Sequence, residues 1–304
     1  MPQPNAGQPY IGRFAPSPTG PLHLGSLFTA LISWLHAKSA GGQWLLRIED
    51  IDETRCRSHS IDQIKRCLEA HHLLWDGPAE QQSLRHEYYA ETIERLQAQD
   101  QVFWCSCSRK TLQESQGVCQ SPACRSQTKP PHNQSAQYAI RLTAHEKRIT
   151  FTDQLQGDQT IERVADGMAL MRRDGLYAYN LVSVVDDTLQ GVTHVVRGID
   201  LLDGTFAHIA VQLALALPPP TYAHCAVLTT ANGLKLSKQN HAAAVTIDNT
   251  ADNIKQCLSF LDTHPPRELR DCRELLSWSL ENWEAIVRQL SGLKAICLEN
   301  NSQN

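Results

Sequence analysis

Between Phe14 and Leu22 the chain carries Pro16, Pro18, Gly20 and Pro21, and this loop constrains the fold more than any other stretch. Each proline fixes its own φ and biases its predecessor away from helix, so the segment must be a stiff, extended connection. Before it, Tyr10 to Phe14 reads as a short strand. After it, Leu27, Leu31, Trp34 and Leu35 recur at helical spacing until Gly41-Gly42 ends the run. Trp44 to Ile48 is a second β-rich run. Strand, loop, helix and strand in that order form a βαβ unit, which predicts an α/β fold on a parallel sheet.

Helical patterns continue from Ile61 to Leu74 and from Glu87 to Leu96. A cysteine-rich segment, Cys105 to Cys124, then interrupts them, and Gln127 to Ala136 reads as a polar loop. Tyr138 to Leu142 and Arg148 to Phe151 read as strands of an inserted subdomain. Leu181 to Val185 and Thr193 to Val196 are β-branched runs, expected to return the chain to the main sheet. Phe206 to Leu217 is a further helix stopped by Pro218. Ile254 to Leu261 and Glu274 to Leu293 also read as helices, and the polar end from Glu299 is expected to fray.

Bulk properties exclude little. Charged residues make up 20%, hydrophobic residues 41%, and the net charge is -4, so no basic excess announces a nucleic-acid partner; a local basic face remains compatible with these values. The N-terminal residues lack a basic n-region, and Leu24 to Leu35 is too short and mixed to span a bilayer, which predicts a cytoplasmic protein with no membrane partner. Four of the ten cysteines fall within twenty residues. In a reducing compartment that clustering predicts metal binding rather than a disulfide framework.

The segment Gly12-Arg13-Phe14-Ala15-Pro16-Ser17-Pro18-Thr19-Gly20-Pro21-Leu22-His23-Leu24-Gly25-Ser26 carries the chemistry. It brings an arginine to the end of a strand, then a stiff loop, then a helix start whose free N–H groups and dipole favour phosphate. Gly25 lets a nucleotide approach the backbone, and His23 can donate to a phosphate oxygen as charge develops. The segment resembles the HIGH-region motif of glutamyl-tRNA synthetases, class I enzymes with a Rossmann-type catalytic domain, with Ser26 at the position of the second histidine. Leu234-Lys235-Leu236-Ser237-Lys238-Gln239-Asn240, after the turn dipeptide Asn232-Gly233, resembles their KMSKS loop. That pairing implies an ATP site of His23, Gly25, Ser26, Lys235, Ser237 and Lys238, with His23, Lys235 and Lys238 stabilising charge moving onto leaving pyrophosphate, and ATP entering with Mg²⁺.

A glutamate substrate brings two carboxylates and one ammonium into a partly dry pocket. Arg13 and Arg197 are assigned to the carboxylates, because guanidinium pairs with them bidentately and stays charged; the sequence leaves open which arginine takes which. Glu49 is assigned to the α-ammonium, and Tyr179 to capping a carboxylate. The resemblance adds Ala15 and Ser17 to this pocket and extends to Val184-Val185-Asp186-Asp187 and Val196-Arg197-Gly198-Ile199-Asp200.

Cys105, Cys107, Cys119 and Cys124 form a C-x-C…C-x4-C set suited to one closed, structural Zn²⁺ per chain, against four free cysteines as the alternative. Related short glutamyl enzymes carry zinc in this insertion, some with tyrosine where Cys119 stands. His71-His72, His145, His224 and His241 show no metal-ligand pattern and are read as structural.

The stretch after Lys238 is too short for the helical anticodon-binding domain that follows this loop in a full glutamyl-tRNA synthetase. With the cysteine insertion and the Lys-Leu-Ser-Lys-Gln-Asn loop, this resembles the glutamyl-queuosine tRNA(Asp) synthetases. The resemblance implies tRNA-independent, ATP-dependent activation of L-glutamate, then transfer to the queuosine base of tRNA(Asp), by a monomer. Its implied divisions are 1–104 and 161–245 for the two catalytic halves, 105–160 for a zinc-bearing, acceptor-like insertion, and 246–304 for a short helical region. Rival readings are a truncated glutamyl-tRNA synthetase charging a tRNA 3′ end, an idle tRNA-binding paralogue, and another adenylate-forming nucleotidyltransferase. Intact Arg13, His23, Glu49, Arg197 and Lys238 argue against idleness.

Overall fold

A computed structural model describes residues 9–113, 117–129, 138–146, 148–162, 167–230, 232–236 and 243–297. Ser237 and Lys238, both assigned above to ATP, lie outside them. The βαβ unit forms as expected: β1 (Ile11–Phe14), α1 (Leu24–Ser39) and β2 (Gln43–Ile48), with β2 parallel to β1 and Arg13 in register with Leu45. Helix α1 ends where Gly41 adopts φ +64°; its N–H donates to Lys38 and that of Gly42 to Ala37, a Schellman stop that only a residue without Cβ strain enters readily. Gly42 is required for a second reason. A Cβ there would lie 2.6 Å from both Cβ and the carbonyl oxygen of Tyr10, so β2 could not start beside β1.

After β2 come α2 (Ser58–Ala70), β3 (Glu80–Gln81, parallel to β2) and α3 (His86–Ala98). An antiparallel sheet follows, in order β4 (Val102–Cys105), β5 (Ala139–Leu142), β8 (Ala169–Met171), with α4 (Arg109–Gln113) and α5 (Pro122–Arg125) beside it and the hairpin β6 (Ile149–Asp153), β7 (Gly157–Ile161) between. The chain then resumes a parallel pair, β9 (His194–Gly198) with β10 (Thr221–Cys225), joined by α7 (Leu202–Ala214). Thr193 donates its N–H to the Ile11 carbonyl, which sets β9 beside β1.

Leu181–Val185, read from its β-branched residues as a strand, is the middle of helix α6 (Tyr179–Leu189). Leu181, Val182, Ser183, Val184 and Val185 are all buried, so no alternation or amphipathic stripe marks the run, and burial on every side overrides β propensity. The expected long helix Glu274–Leu293 is two, α9 (Cys272–Glu281) and α10 (Trp283–Leu290). They break at Asn282, whose side chain donates to the Trp278 carbonyl. With α8 (Thr250–Ser259) they pack on α1, whose Leu27, Phe28, Leu31, Ile32 and Leu35 are 0–1% exposed. Strands β11 (Val227–Thr229) and β12 (Ala295–Cys297) pair in parallel. No described helix is long and apolar enough to cross a membrane.

Candidate active site

In a parallel sheet all strands present their carboxyl ends to one edge, and ligands bind there. Arg13 near the end of β1, Glu49 just past β2, Arg197 near the end of β9 and His224 near the end of β10 follow from that rule. The proline loop is fastened at the same edge: Glu49 donates its N–H to the Pro16 carbonyl and Arg57 to that of Pro18, each at 3.0 Å. Ala15 is half-buried in this loop and Ser17 exposed on it.

Arg13 and Arg197, alike in the sequence, differ in their neutralisation. Arg13 donates from Nε to Oδ1 of Asp187 at 3.0 Å, and Arg47 reaches the same oxygen at 2.7 Å. Burial works to raise the Asp187 carboxyl, yet Arg13 and Arg47 hold it down to about 2. Behind them Asp186 accepts from Gln82, Arg85 and Tyr89 at 2.8–2.9 Å. Three guanidiniums thus face Glu49, Asp186 and Asp187, and charge compensation is what makes so polar a core tolerable. Arg47 is fully buried and was not singled out above; its position on an otherwise apolar strand, Trp44-Leu45-Leu46-Arg47-Ile48, is the signal that could have found it.

Arg197 is 4% exposed and meets only neutral acceptors among the described residues: His224 Nε2 (3.1 Å), Tyr179 Oη (3.2 Å), His208 Nδ1 (3.4 Å), the Leu201 carbonyl (3.2 Å) and Thr205 Oγ1 (2.8 Å). It also lies over the Tyr222 ring. No described carboxylate comes within ion-pair distance of it. Glu49 shows the converse. Its Oε1 is buried without a hydrogen-bond partner, with Arg47 3.7 Å away. Burial pushes the Glu49 carboxyl up to about 7, with Arg47 and Arg13 offsetting only part of that rise.

His23 caps α1: its Nδ1 accepts the Ser26 N–H at 3.2 Å, which leaves the proton of a neutral ring on Nε2, 3.0 Å from Ser26 Oγ. A Cβ on Gly25 would lie 3.2 Å from that ring and 3.6 Å from the Leu236 carbonyl, so the glycine lets helix start, imidazole and loop meet. Residues 232–236 fold back on β11, with the Leu236 N–H donating to Leu228. Lys235 forms an ion pair with Asp200. The structure therefore brings His23, Gly25 and Ser26 together at one helix start, while Lys235 sits in a partly exposed pair.

The sulfurs of Cys105, Cys107, Cys119 and Cys124 all lie within 4.8 Å of one another, with Cys107 3.6 Å from Cys124 and 3.7 Å from Cys119. None is in a disulfide. Four thiolates at about 2.3 Å from a tetrahedral Zn²⁺ would be separated by about 3.8 Å, so the donor set and its spacing fit that ion.

The chain matches the family described as tRNA synthetases class I (E and Q), catalytic domain, over residues 11–287. It is 45% identical to the glutamyl-Q tRNA(Asp) synthetase of Methylococcus capsulatus over 93% of each chain, and 42% identical to that of Ectopseudomonas mendocina over 91% of this chain and 94% of the relative. Among solved structures it resembles a glutamate tRNA ligase from Elizabethkingia meningosepticum in complex with its amino acid, at a TM-score of 0.65 and 28% identity, with 76% of this chain covered and about half (52%) of that one. The glutamate-tRNA synthetase of Elizabethkingia anophelis superposes over 96% of this chain and 68% of its own length at a TM-score of 0.76 and 23% identity, which speaks to the fold. The chain belongs to the class I glutamyl/glutaminyl-tRNA synthetase family, and within it to the glutamyl-Q tRNA(Asp) synthetases.

Proposed function

We propose that this chain activates L-glutamate with ATP to glutamyl-adenylate, without needing tRNA, and transfers the glutamyl group to the queuosine base in the anticodon of tRNA(Asp). The observation that carries the amino-acid half is a buried pair of groups of opposite sign with capacity to spare: Arg197, without a described carboxylate partner, and Glu49, whose Oε1 makes no hydrogen bond although Arg47 lies 3.7 Å away. A buried guanidinium and a buried carboxylate left in this state complement a ligand bearing both charges. Arg197 with Tyr179 takes a substrate carboxylate and Glu49 the α-ammonium. Arg13, already paired with Asp187, contributes positive potential beside Ala15 and Ser17. The acceptor half is supported by the relatives named glutamyl-Q tRNA(Asp) synthetase, which match nearly end to end.

In this mechanism the glutamate α-carboxylate attacks the α-phosphorus of ATP in line, and pyrophosphate leaves. The protein supplies position and charge. His23, Gly25 and Ser26 receive phosphate at the start of α1, and Lys235, Ser237 and Lys238 approach from the loop, which requires Lys235 to exchange Asp200 for phosphate. Mg²⁺ accompanies ATP and shields its phosphates. A hydroxyl of the queuosine cyclopentene ring then attacks the carbonyl carbon of the mixed anhydride, forming the glutamyl ester as the acyl–phosphate bond breaks, AMP leaves and the hydroxyl gives up its proton. The four cysteines would hold one structural Zn²⁺, which leaves no open position for catalysis. We also infer a cytoplasmic monomer, with catalytic halves at 1–104 and 161–245, an insertion at 105–160 and a helical region at 246–304.

The test supplies labelled glutamate, ATP and tRNA(Asp) with or without queuosine, then cuts the product in the anticodon loop. Label should require queuosine and stay with the anticodon fragment. Label at the 3′ end, or indifference to queuosine, overturns the acceptor. Arg197→Ala should lower kcat/KM for glutamate in ATP–pyrophosphate exchange by about tenfold to a hundredfold, the worth of charged hydrogen bonds; unchanged exchange overturns the pocket.

A further inference from the structure

Arg197 is held from behind by two side chains that have no role in the reading above. Its Nε donates to Nε2 of His224 at 3.1 Å, and Nδ1 of the same ring lies 2.6 Å from Oδ2 of Asp153. Both side chains are fully buried. A ring nitrogen that accepts an N–H carries no proton, so His224 is neutral with its hydrogen on Nδ1, donated to Asp153. Burial is the strongest influence on the ring and favours that neutral form, although the Asp153 carboxylate pulls the other way. The other oxygen of Asp153, Oδ1, accepts the backbone N–H groups of Leu155, Gln156 and His224 at 3.0, 2.9 and 3.1 Å. One carboxylate therefore locks the β6–β7 turn, the backbone of β10 and the imidazole proton together.

The remaining edges of the guanidinium are unequal. Nη2 is anchored by Thr205 at 2.8 Å and by the Leu201 carbonyl at 3.2 Å. Nη1 makes longer contacts, 3.2 Å to Tyr179 and 3.4 Å to His208, both neutral groups that a carboxylate would outcompete. We propose that Asp153 and His224 are positioning residues for glutamate recognition: by holding the Nδ1–H tautomer they keep an acceptor behind Arg197 and aim its Nη1 edge at the substrate carboxylate. This rests on the reading of Arg197 as a glutamate anchor.

Asp153→Asn separates this role from simple packing. Because three N–H groups converge on Oδ1, the amide oxygen must take that place and its NH₂ must face His224 Nδ1. The ring proton is then driven to Nε2, directly against the Arg197 Nε–H. The same inversion of tautomer underlies the effect of replacing the aspartate of a Ser-His-Asp triad by asparagine. In ATP–pyrophosphate exchange the KM for glutamate should rise by about tenfold or more, the loss of one charged hydrogen bond, while the KM for ATP stays unchanged. His224→Gln, which can present an amide oxygen near the Nε2 position, should retain most of the affinity. In that background Asp153→Asn should add little, since no tautomer is left to invert.

Nitrogen-15 NMR of histidine-labelled wild-type protein should show His224 protonated on Nδ1, and on Nε2 in Asp153→Asn. An Nε2–H ring in the wild type overturns the proposal even if every variant fails to fold. So does a folded Asp153→Asn with normal glutamate KM, a parallel rise in both KM values, or the same rise in the His224→Gln background. Arg197→Ala distinguishes the two levels. If it leaves the glutamate KM unchanged, the pocket reading falls and takes this inference with it; if it impairs glutamate use while Asp153→Asn does not, the inference alone falls.

Discussion

Glu49 makes the sharpest quantitative prediction, because its role in binding an ammonium and its cost to the fold act at the same pH. In the free chain the carboxyl ionises near 4.5; in the fold burial moves it to about 7. Below pH 4.5 both states are protonated and the group is neutral in its effect. Between 4.5 and 7 the unfolded chain ionises first, so raising the pH favours unfolding, and above 7 the penalty is complete. At about 1.4 kcal/mol per pH unit the full penalty is about 3 kcal/mol. Glu49→Gln removes it: the variant should gain up to about 3 kcal/mol over wild type at pH 8, with the gain falling to about 1 kcal/mol at pH 5. Function runs the other way. Ionised Glu49 is needed for the α-ammonium, so wild-type kcat/KM for glutamate should rise about tenfold from pH 6 to pH 8 with a midpoint near 7, measured by ATP–pyrophosphate exchange at saturating ATP. Glu49→Gln should flatten that profile at a low value. Urea unfolding and exchange on the same pH series check both limbs. A stability difference that does not change between pH 5 and pH 8, or a flat wild-type profile, refutes the reasoning.

Asp187→Asn should destabilise the chain by about 3–5 kcal/mol in urea unfolding at pH 7, because Arg13 and Arg47 lose their shared buried partner. The Asp187 carboxyl is held below its ordinary value, so its stabilisation is complete above about pH 4 and is lost as the pH falls through about 2; the variant's deficit should shrink over that range. Gly42→Ala should lower the melting temperature by several degrees, about 1–3 kcal/mol, since its Cβ would meet Tyr10 backbone and side chain at 2.6 Å; a neutral result would show that β1 and β2 can separate freely. Purified protein should contain one zinc per chain by elemental analysis. A strong chelator or Cys124→Ser should then increase proteolysis between Cys105 and Cys124, and a stoichiometry well below one would remove the metal.

The βαβ unit was legible because its determinants are local: three prolines cannot be helical where they stand, and Gly41-Gly42 can only end a helix. The four cysteines were legible for a similar reason. Their spacing brings them within reach of one centre, and their sulfurs do converge. Helix α6 was not legible. Its Leu181-Val182-Ser183-Val184-Val185 core lacks a period that separates helix from strand, and the decision fell to the surfaces that cover it on all sides. Asp153 left a faint trace, since it occupies the third inward position of a strand whose other two are Ile149 and Phe151.

The sequence by itself determined which chemical groups this protein can bring to a site: guanidiniums for carboxylates, a carboxylate for an ammonium, a helix start for phosphate, thiolates for a metal. Only the tertiary structure decided which of those groups are still uncompensated. Arg13 and Arg197 read alike along the chain, but Asp187, 174 residues from Arg13, reaches across to one of them, and no described carboxylate reaches the other. Residue type sets a charge, whereas its neutralisation is a property of neighbours that only folding brings together.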